Sequence, residues 1–183
     1  MVNQVYKMRD QNYMDGLMDM INHIKEYGNT KQMTMVEIGS YAGQSTELFS
    51  KHFKSVIAID PFINDYDPND ITCEFMKLED VYVKFTELIN KFNNVRHIRM
   101  TSDDAIKSLL ESEVDFVYID GLHTYNQVSL DIDNYLQIIK PSGLIGGHDY
   151  HSTWQGVINA INEKLGEPDM TFKDTSWIKK LNK

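Results

Sequence analysis

Met33-Thr34-Met35-Val36-Glu37-Ile38-Gly39-Ser40-Tyr41-Ala42-Gly43-Gln44-Ser45-Thr46 passes from an apolar run into a glycine-bearing turn and on toward a helix. Met33, Met35, Val36 and Ile38 make the run, which carries one acid, Glu37. The turn spans Gly39 to Gly43, and a helix should open at Ser45 or Thr46, either able to cap it through a side-chain oxygen. Strand, glycine turn, helix is how an open α/β sheet offers backbone N–H groups and a helix N-terminus to a small ligand. The glycines let the main chain approach where a Cβ would collide.

The spacing of the glycines narrows the reading. A nicotinamide-binding turn has the pattern G-x-G-x-x-G, whereas this chain has Gly39-x-x-x-Gly43 after an acid. In that respect it resembles the first motif of class I S-adenosylmethionine-dependent methyltransferases. An ordinary βα turn has the same ingredients, so the other strand ends must discriminate.

Bulk properties bound the answer. The 183 residues suit one domain with one hydrophobic core, 1–183, in which 1–30 forms a helical N-terminal segment and 33–181 an α/β body. With 42% hydrophobic and 25% charged residues the chain reads as globular, not disordered. Its net charge of -9 argues against nucleic acid or an anionic membrane as partner, since both require a basic face. No run approaches the roughly 18 apolar residues of a membrane span, and the first ten residues lack a signal-peptide core. Cys73 is the single cysteine and has no internal disulfide partner, so a reducing cytoplasm is the expectation.

Along the chain, Leu17, Met18, Ile21 and Ile24 mark an amphipathic helix over Tyr13 to Tyr27, ended by Gly28-Asn29. Strand one is followed by a helix of about Ser45 to Phe53 and by strand two, Val56 to Asp60. Pro61 to Glu74 is aperiodic and reads as a long loop, with its acidic part, Asp65 to Glu74, placed to help select a substrate. A helix over Met76 to Phe92, strand three at Val95 to Met100 and a helix-starting cluster at Thr101 to Asp104 come next. Val114 to Asp120 is a buried strand, followed by a helix over Tyr125 to Ile139, a turn at Lys140 to Gly143, and strand five at Leu144 to Gly147. A helix over Trp154 to Leu165 and a terminal strand pair, Met170 to Lys173 with Trp177 to Leu181, complete the chain.

Alternating strands and helices imply a Rossmann-like, doubly wound, mainly parallel sheet with helices on both faces and an antiparallel C-terminal pair. Right-handed crossovers then set the C-terminal end of each parallel strand along one rim, where ligands bind. Glu37 to Gly43, Asp60, Ser102 to Asp104, Asp120 to His123 and His148 to Tyr150 all fall there. A carboxylate at Asp60 can accept both hydroxyls of a ribose, or cap the turn before Pro61. Asp103, supported by Ser102, can take an adenine amino group, though the pair can equally cap a helix.

Asp120-Gly-Leu-His-Thr-Tyr125, then Asp131, then Pro141-Ser-Gly-Leu-Ile-Gly-Gly-His-Asp-Tyr150 and Gly156 to Glu163 follow in order. Together with the first motif and Asp60, this set resembles the macrocin-type and related sugar O-methyltransferase branch over Val36 to Glu163. The resemblance implies S-adenosyl-L-methionine as cofactor, contacted by Glu37, Gly39, Ser40, Tyr41, Gly43, Ser45, Asp60, Ser102, Asp103 and Asp120. It also implies a divalent cation, usually magnesium, at Asp120, His148 and Asp149. His148 stands where better-studied members have an acid, and imidazole suits manganese, iron or zinc better. Adjacent strand residues face opposite sides, so His148 and Asp149 can share an ion only if the strand has ended before them.

His123 lies three residues past Asp120, and an imidazole is suited to take the proton of an acceptor hydroxyl. Catalysis is thus assigned to His123 and Asp120, with Tyr125, Tyr150, His151 and Trp154 as candidates for the acceptor pocket. The expected activity is O-methylation of a sugar or other small polar hydroxyl compound, with a homodimer as the default assembly. Three readings stay open: another chemistry on the same fold, as in a relative associated with cephalosporin hydroxylation, a non-catalytic adenosyl-binding protein, and a nicotinamide dehydrogenase, which the glycine spacing disfavours.

Overall fold

The computed structural model describes residues 9–64, 66 and 77–182. Seven strands form one sheet in the order β3-β2-β1-β4-β5-β7-β6. They are β1 (Thr34–Ile38), β2 (Ser55–Ile59), β3 (Val95–Ile98), β4 (Val114–Ile119), β5 (Ile139–Gly147), β6 (Met170–Thr171) and β7 (Trp177–Lys180). The first five run parallel, while β7 pairs antiparallel with β5 and with β6. Six α-helices connect or flank them among the described residues: α1 (Gln11–Ile24), α2 (Gln44–His52), α3 (Leu78–Ile89), α4 (Ser102–Ala105), α5 (Tyr125–Tyr135) and α6 (Gln155–Leu165). This is the doubly wound, Rossmann-like architecture that the alternation of patterns predicts.

Side chains alternate across the sheet and sort the core into two faces. Met35, Val56, Phe116 and Tyr118 pack against Leu17, Met20 and Ile21 of α1 and Phe49 of α2. Val36, Ile57, Val117 and Ile145 point the other way, onto Ile132 of α5 and Val157 and Ile161 of α6. Ala58, Phe62, Val81 and Phe85 form a third cluster where α3 covers the sheet.

The chain moves outward from β1 to β3 and then returns to place β4 beside β1, so the loops after β1 and β4 diverge and open a crevice between them. Backbone bonds carry the ladder one residue past each strand. Gly39 N–H donates to Ile59, Asp120 N–H to Ile38 and His148 N–H to Ile119. Gly39, Asp120 and His148 are thereby held in register along the rim.

Several expectations need correcting. Gly43, at φ 87°, is the N-cap of α2, and no side chain caps it. The Ser45 and Thr46 hydroxyls instead donate to Glu37, at 2.5 Å each, because α2 begins directly above this buried acid. Lys140 to Gly143 is not a turn before strand five but a bulge within it. Val114 pairs with Ile139 and Phe116 with Leu144, so β5 spends three extra residues there. Helix α1 starts at Gln11, capped by Asp10, and ends at Ile24, short of Gly28. Cys73 and most of the acidic loop lie outside the described residues.

Two measurements check this framework. A Cβ at Gly39 would sit 1.9 Å from the Asp120 carbonyl oxygen, at a φ of +84°. Gly39→Ala should therefore cost on the order of 3 kcal/mol or more, read as a fall of roughly 10 °C in melting temperature. Glu37 is fully buried, and burial pushes its carboxyl up to about 7, against the opposing pull of the Ser45 and Thr46 hydrogen bonds. An acid whose native pKa exceeds its unfolded value loses stabilising effect as pH rises between the two. The stability gap between Glu37→Gln and the parent should shift in the variant's favour from pH 5 to pH 8, by up to about 3 kcal/mol. A pH-independent gap would contradict the assignment.

Candidate active site

A cavity of about 490 Å³ occupies the crevice at the strand ends, within the usual size range of small-molecule sites. The glycine turn supplies Gly39 to Ser45 along one wall, and Asp60 and Pro61 continue it beyond β2. Ser102, Gln127 and Asp131 line it at the α4–α5 side. Asp120, His123, His148 and Asp149 line it at the ends of β4 and β5, with Trp154 and Tyr13 beside them.

Asp60 takes the turn-capping role that the sequence allows and also braces the glycine turn. Its Oδ1 accepts the Phe62 N–H as a turn cap, and its Oδ2 accepts the Tyr41 N–H of the glycine turn. Oxygens of a cavity-lining carboxylate retain further acceptor capacity. Ser40 Oγ is buried, lines the cavity and has no hydrogen-bond partner among the described residues.

At the far end, four side chains converge. His123 Nε2 lies 2.7 Å from Asp149 Oδ2, and His148 Nδ1 lies 3.1 Å from the same oxygen. Asp120 Oδ1 stands 4.0 Å from His123 Nε2 and 3.7 Å from His148 Nδ1. The His123 ring stacks on Trp154 with centroids 4.5 Å apart. Strand β5 ends at Gly147, and Asp149 adopts a left-handed φ of 62°, which turns its carboxylate back toward both imidazoles. The geometric objection to His148 and Asp149 meeting is thereby removed.

The electrostatics follow the packing. Burial alone would raise the Asp149 carboxyl, but the bonds from His123 and His148 outweigh it and hold the group well below the usual carboxylate range. Burial would lower the His148 imidazole, yet Asp120 and Asp149 outweigh that and keep it above its ordinary value.

Residues whose donor atoms lie mutually within 4.8 Å, as a shared ion requires, are Asp120, His123 and Asp149. His148 Nδ1, 3.7 Å from Asp120 and 3.1 Å from Asp149, borders this set, so the expected trio of Asp120, His148 and Asp149 is gathered with His123 beside it. Its other ring nitrogen, Nε2, faces Thr175 Oγ1 at 3.5 Å.

Other assignments shift too. Glu37 is not on the cavity wall; it lies behind the glycine turn and fixes Ser45 and Thr46. Asp103 does not line the cavity either, because its Oδ1 accepts from Gln127 and Asn134. Thr101, not Ser102 or Asp103, caps α4. Of the four aromatic candidates for the acceptor pocket, Trp154 lines the cavity. Tyr125 bonds Glu163, Tyr150 bonds Asn162, and His151 caps the turn at Thr153, all away from it.

Arg9 escaped the sequence reading. Its guanidinium donates to Asp120 and to the Tyr118 hydroxyl, and Nη1 stands 3.7 Å from the buried Asp174 carboxylate. A reciprocal pair of bonds with the Gln44 side chain ties its backbone to the start of α2. No local pattern announces such a residue. Asp131 belongs to an ordered sequence motif, and its spacing from Val128, Ile132 and Tyr135 puts an acid on the buried face of α5.

Comparison with known proteins agrees with this geometry. A model described as a methyltransferase domain matches residues 36–150, more than half of the chain. An uncharacterized protein of Acanthamoeba polyphaga mimivirus is 32% identical over 143 residues, covering 74% of this chain and 60% of that protein. One from Sinorhizobium fredii is 25% identical over 125 residues, 63% of this chain and 13% of the other. The chain thus spans less than two thirds of either relative.

Among solved structures, the N-methyltransferase NodS of Bradyrhizobium japonicum, in complex with S-adenosyl-L-homocysteine, superposes with a TM-score of 0.66 at 14% identity, over 96% of this chain and 90% of that one. A TDP-rhamnose 3′-O-methyltransferase of calicheamicin biosynthesis gives 0.65 at 12% identity, covering 100% and 86%. An O-methyltransferase of Bacillus cereus in complex with the same product gives 0.63 at 14%, covering 97% and 84%. These likenesses establish the fold, and the match over residues 36–150 establishes the family: the chain belongs to the methyltransferase-domain proteins.

Proposed function

We propose that the chain is an S-adenosylmethionine-dependent O-methyltransferase acting on a hydroxyl of a small polar acceptor such as a sugar. The observation that carries this is one continuous cavity reaching from the glycine turn, past Asp60, to the paired His123 and Asp149. Proteins of the same fold include a TDP-rhamnose 3′-O-methyltransferase and an O-methyltransferase of Bacillus cereus, which supports a hydroxyl acceptor.

The cavity suits adenosylmethionine on its own evidence. Ser40 Oγ is a buried donor awaiting a partner, and the Gly39–Gly43 turn exposes main chain beside it. These would hold the amino-acid end, and Asp60 the ribose hydroxyls. When bound, the cofactor supplies an electrophilic sulfonium methyl group.

His123 takes the acceptor's proton, and the Asp149 carboxylate beside its Nε2 stabilises the resulting imidazolium. Stacking on Trp154 fixes the plane of that ring. Walls that hold hydroxyl and methyl at near-attack distance can account for roughly 7–11 kcal/mol of barrier lowering.

A second reading has its own observation. Asp120, His123 and Asp149 form a donor set fit for a divalent cation, and one imidazole with two carboxylates favours manganese, iron or zinc over magnesium. A cation there would lower the pKa of a bound hydroxyl, and His123 would then be a ligand, not a base.

Calorimetry should show one equivalent of S-adenosylhomocysteine bound and no binding of NADH; the reverse would end the proposal. His123→Gln should reduce methyl transfer from labelled adenosylmethionine by roughly 100-fold or more while leaving product affinity within about twofold. The cation is tested by melting the chelator-treated protein with added manganese. A rise in melting temperature that disappears in Asp149→Asn favours the metal reading. A melting curve and a transfer rate both indifferent to chelator and manganese exclude it.

A further inference from the structure

We propose that Asp131 reads the base of the cofactor, its carboxyl accepting a hydrogen from the exocyclic amino group of adenine. The inference rests on the reading that adenosylmethionine occupies the cavity, and it assigns to α5 a recognition task that the strand ends do not perform.

The argument begins with placement. Asp131 lies on the same helical face as Val128, Ile132 and Tyr135, all buried in the core, and is itself only 1% exposed. An acid belongs on such a face only if something there uses it. Its partners in the protein are neutral donors: Gln127 Nε2, 3.1 Å from Oδ1, and the Ser102 hydroxyl. Among the described residues no cation pairs with it. Yet Asp131 lines the cavity together with Ser102 and Gln127.

The neighbouring acids are otherwise engaged. Asp103 accepts from Gln127 and Asn134 and does not reach the cavity. Asp60 is tied to the Tyr41 and Phe62 amides at the end of β2. Asp131 is therefore the carboxyl that the Ser102–Gln127 wall presents to a ligand. Tyr66 lines the same cavity, and its hydroxyl is raised by burial and by the field of Asp103, Asp131, Asp104 and Asp60.

The chemistry is specific. An ionised carboxylate has about four acceptor sites and no donor. Gln127 and Ser102 use two, and both donors favour the ionised form. What remains accepts an N–H, which adenine offers at its amino group and a purine lacking that group does not. Burial pushes the Asp131 carboxyl up to about 7, so without a further donor it is held at the edge of protonation.

The test is a ligand-by-residue cycle, read by calorimetry. The probes are S-adenosylhomocysteine and the analogue in which the 6-amino group is replaced by hydrogen. The parent protein should bind the analogue roughly tenfold or more weakly. In Asp131→Leu that ratio should collapse toward one. In Asp131→Asn, which keeps shape and one neutral carbonyl, it should fall at least about threefold, so the Asn protein decides the matter if the Leu protein does not fold. Asp103→Asn should leave the ratio unchanged. A parent that binds both probes equally, an unaltered ratio in folded Asp131 variants, or a collapse in Asp103→Asn instead would overturn the assignment. A parent that binds neither probe would overturn the cofactor reading itself.

Discussion

A carboxylate with no access to water holds the site in shape. Glu37 is fully buried at the end of the central strand and takes two hydroxyl hydrogen bonds from the first turn of α2. An unsatisfied buried acid would cost several kcal/mol, so the start of that helix cannot drift from β1 without exposing the debt. Between them runs the glycine turn, pressed so closely on the Asp120 carbonyl that only a hydrogen fits at Gly39. The cavity-facing backbone is thus fixed from behind by polar bonds and from the side by steric contact.

The opposite end of the cavity is organised by charge. Two imidazoles and a guanidinium face Asp120, Asp149 and Asp174. The positive φ of Asp149 is the local distortion that lets both histidines reach one carboxylate oxygen. Strain of this kind persists where surrounding bonds over-determine the backbone, and here the His148 N–H to Ile119 bond and the Tyr150 N–H to Thr175 bond bracket it.

Strand identity was readable because apolar runs ending in polar residues have few other interpretations; the strand and helix bounds moved by only a few residues. What escaped the sequence was choice among chemically equivalent neighbours. Ser45 and Thr46 look like caps until one knows that Glu37 lies beneath them. Lys140 to Gly143 looks like a turn because its pairing is fixed by β4, more than twenty residues upstream. Asp103 and Asp131 are both acids near the rim, and helix phase alone decides which one meets the cavity. Arg9 could not be found at all, since its partners lie 35 to 165 positions away.

That last contact has a consequence for folding. Arg9 and Asp174 stand 165 positions apart, and Asp174 lies between β6 and β7 of the edge hairpin. A contact spanning so much chain carries a large loop-closure entropy, so it forms after the shorter-range pairings of the sheet. The charge balance at this end of the cavity is therefore a late event, completed when the edge hairpin docks.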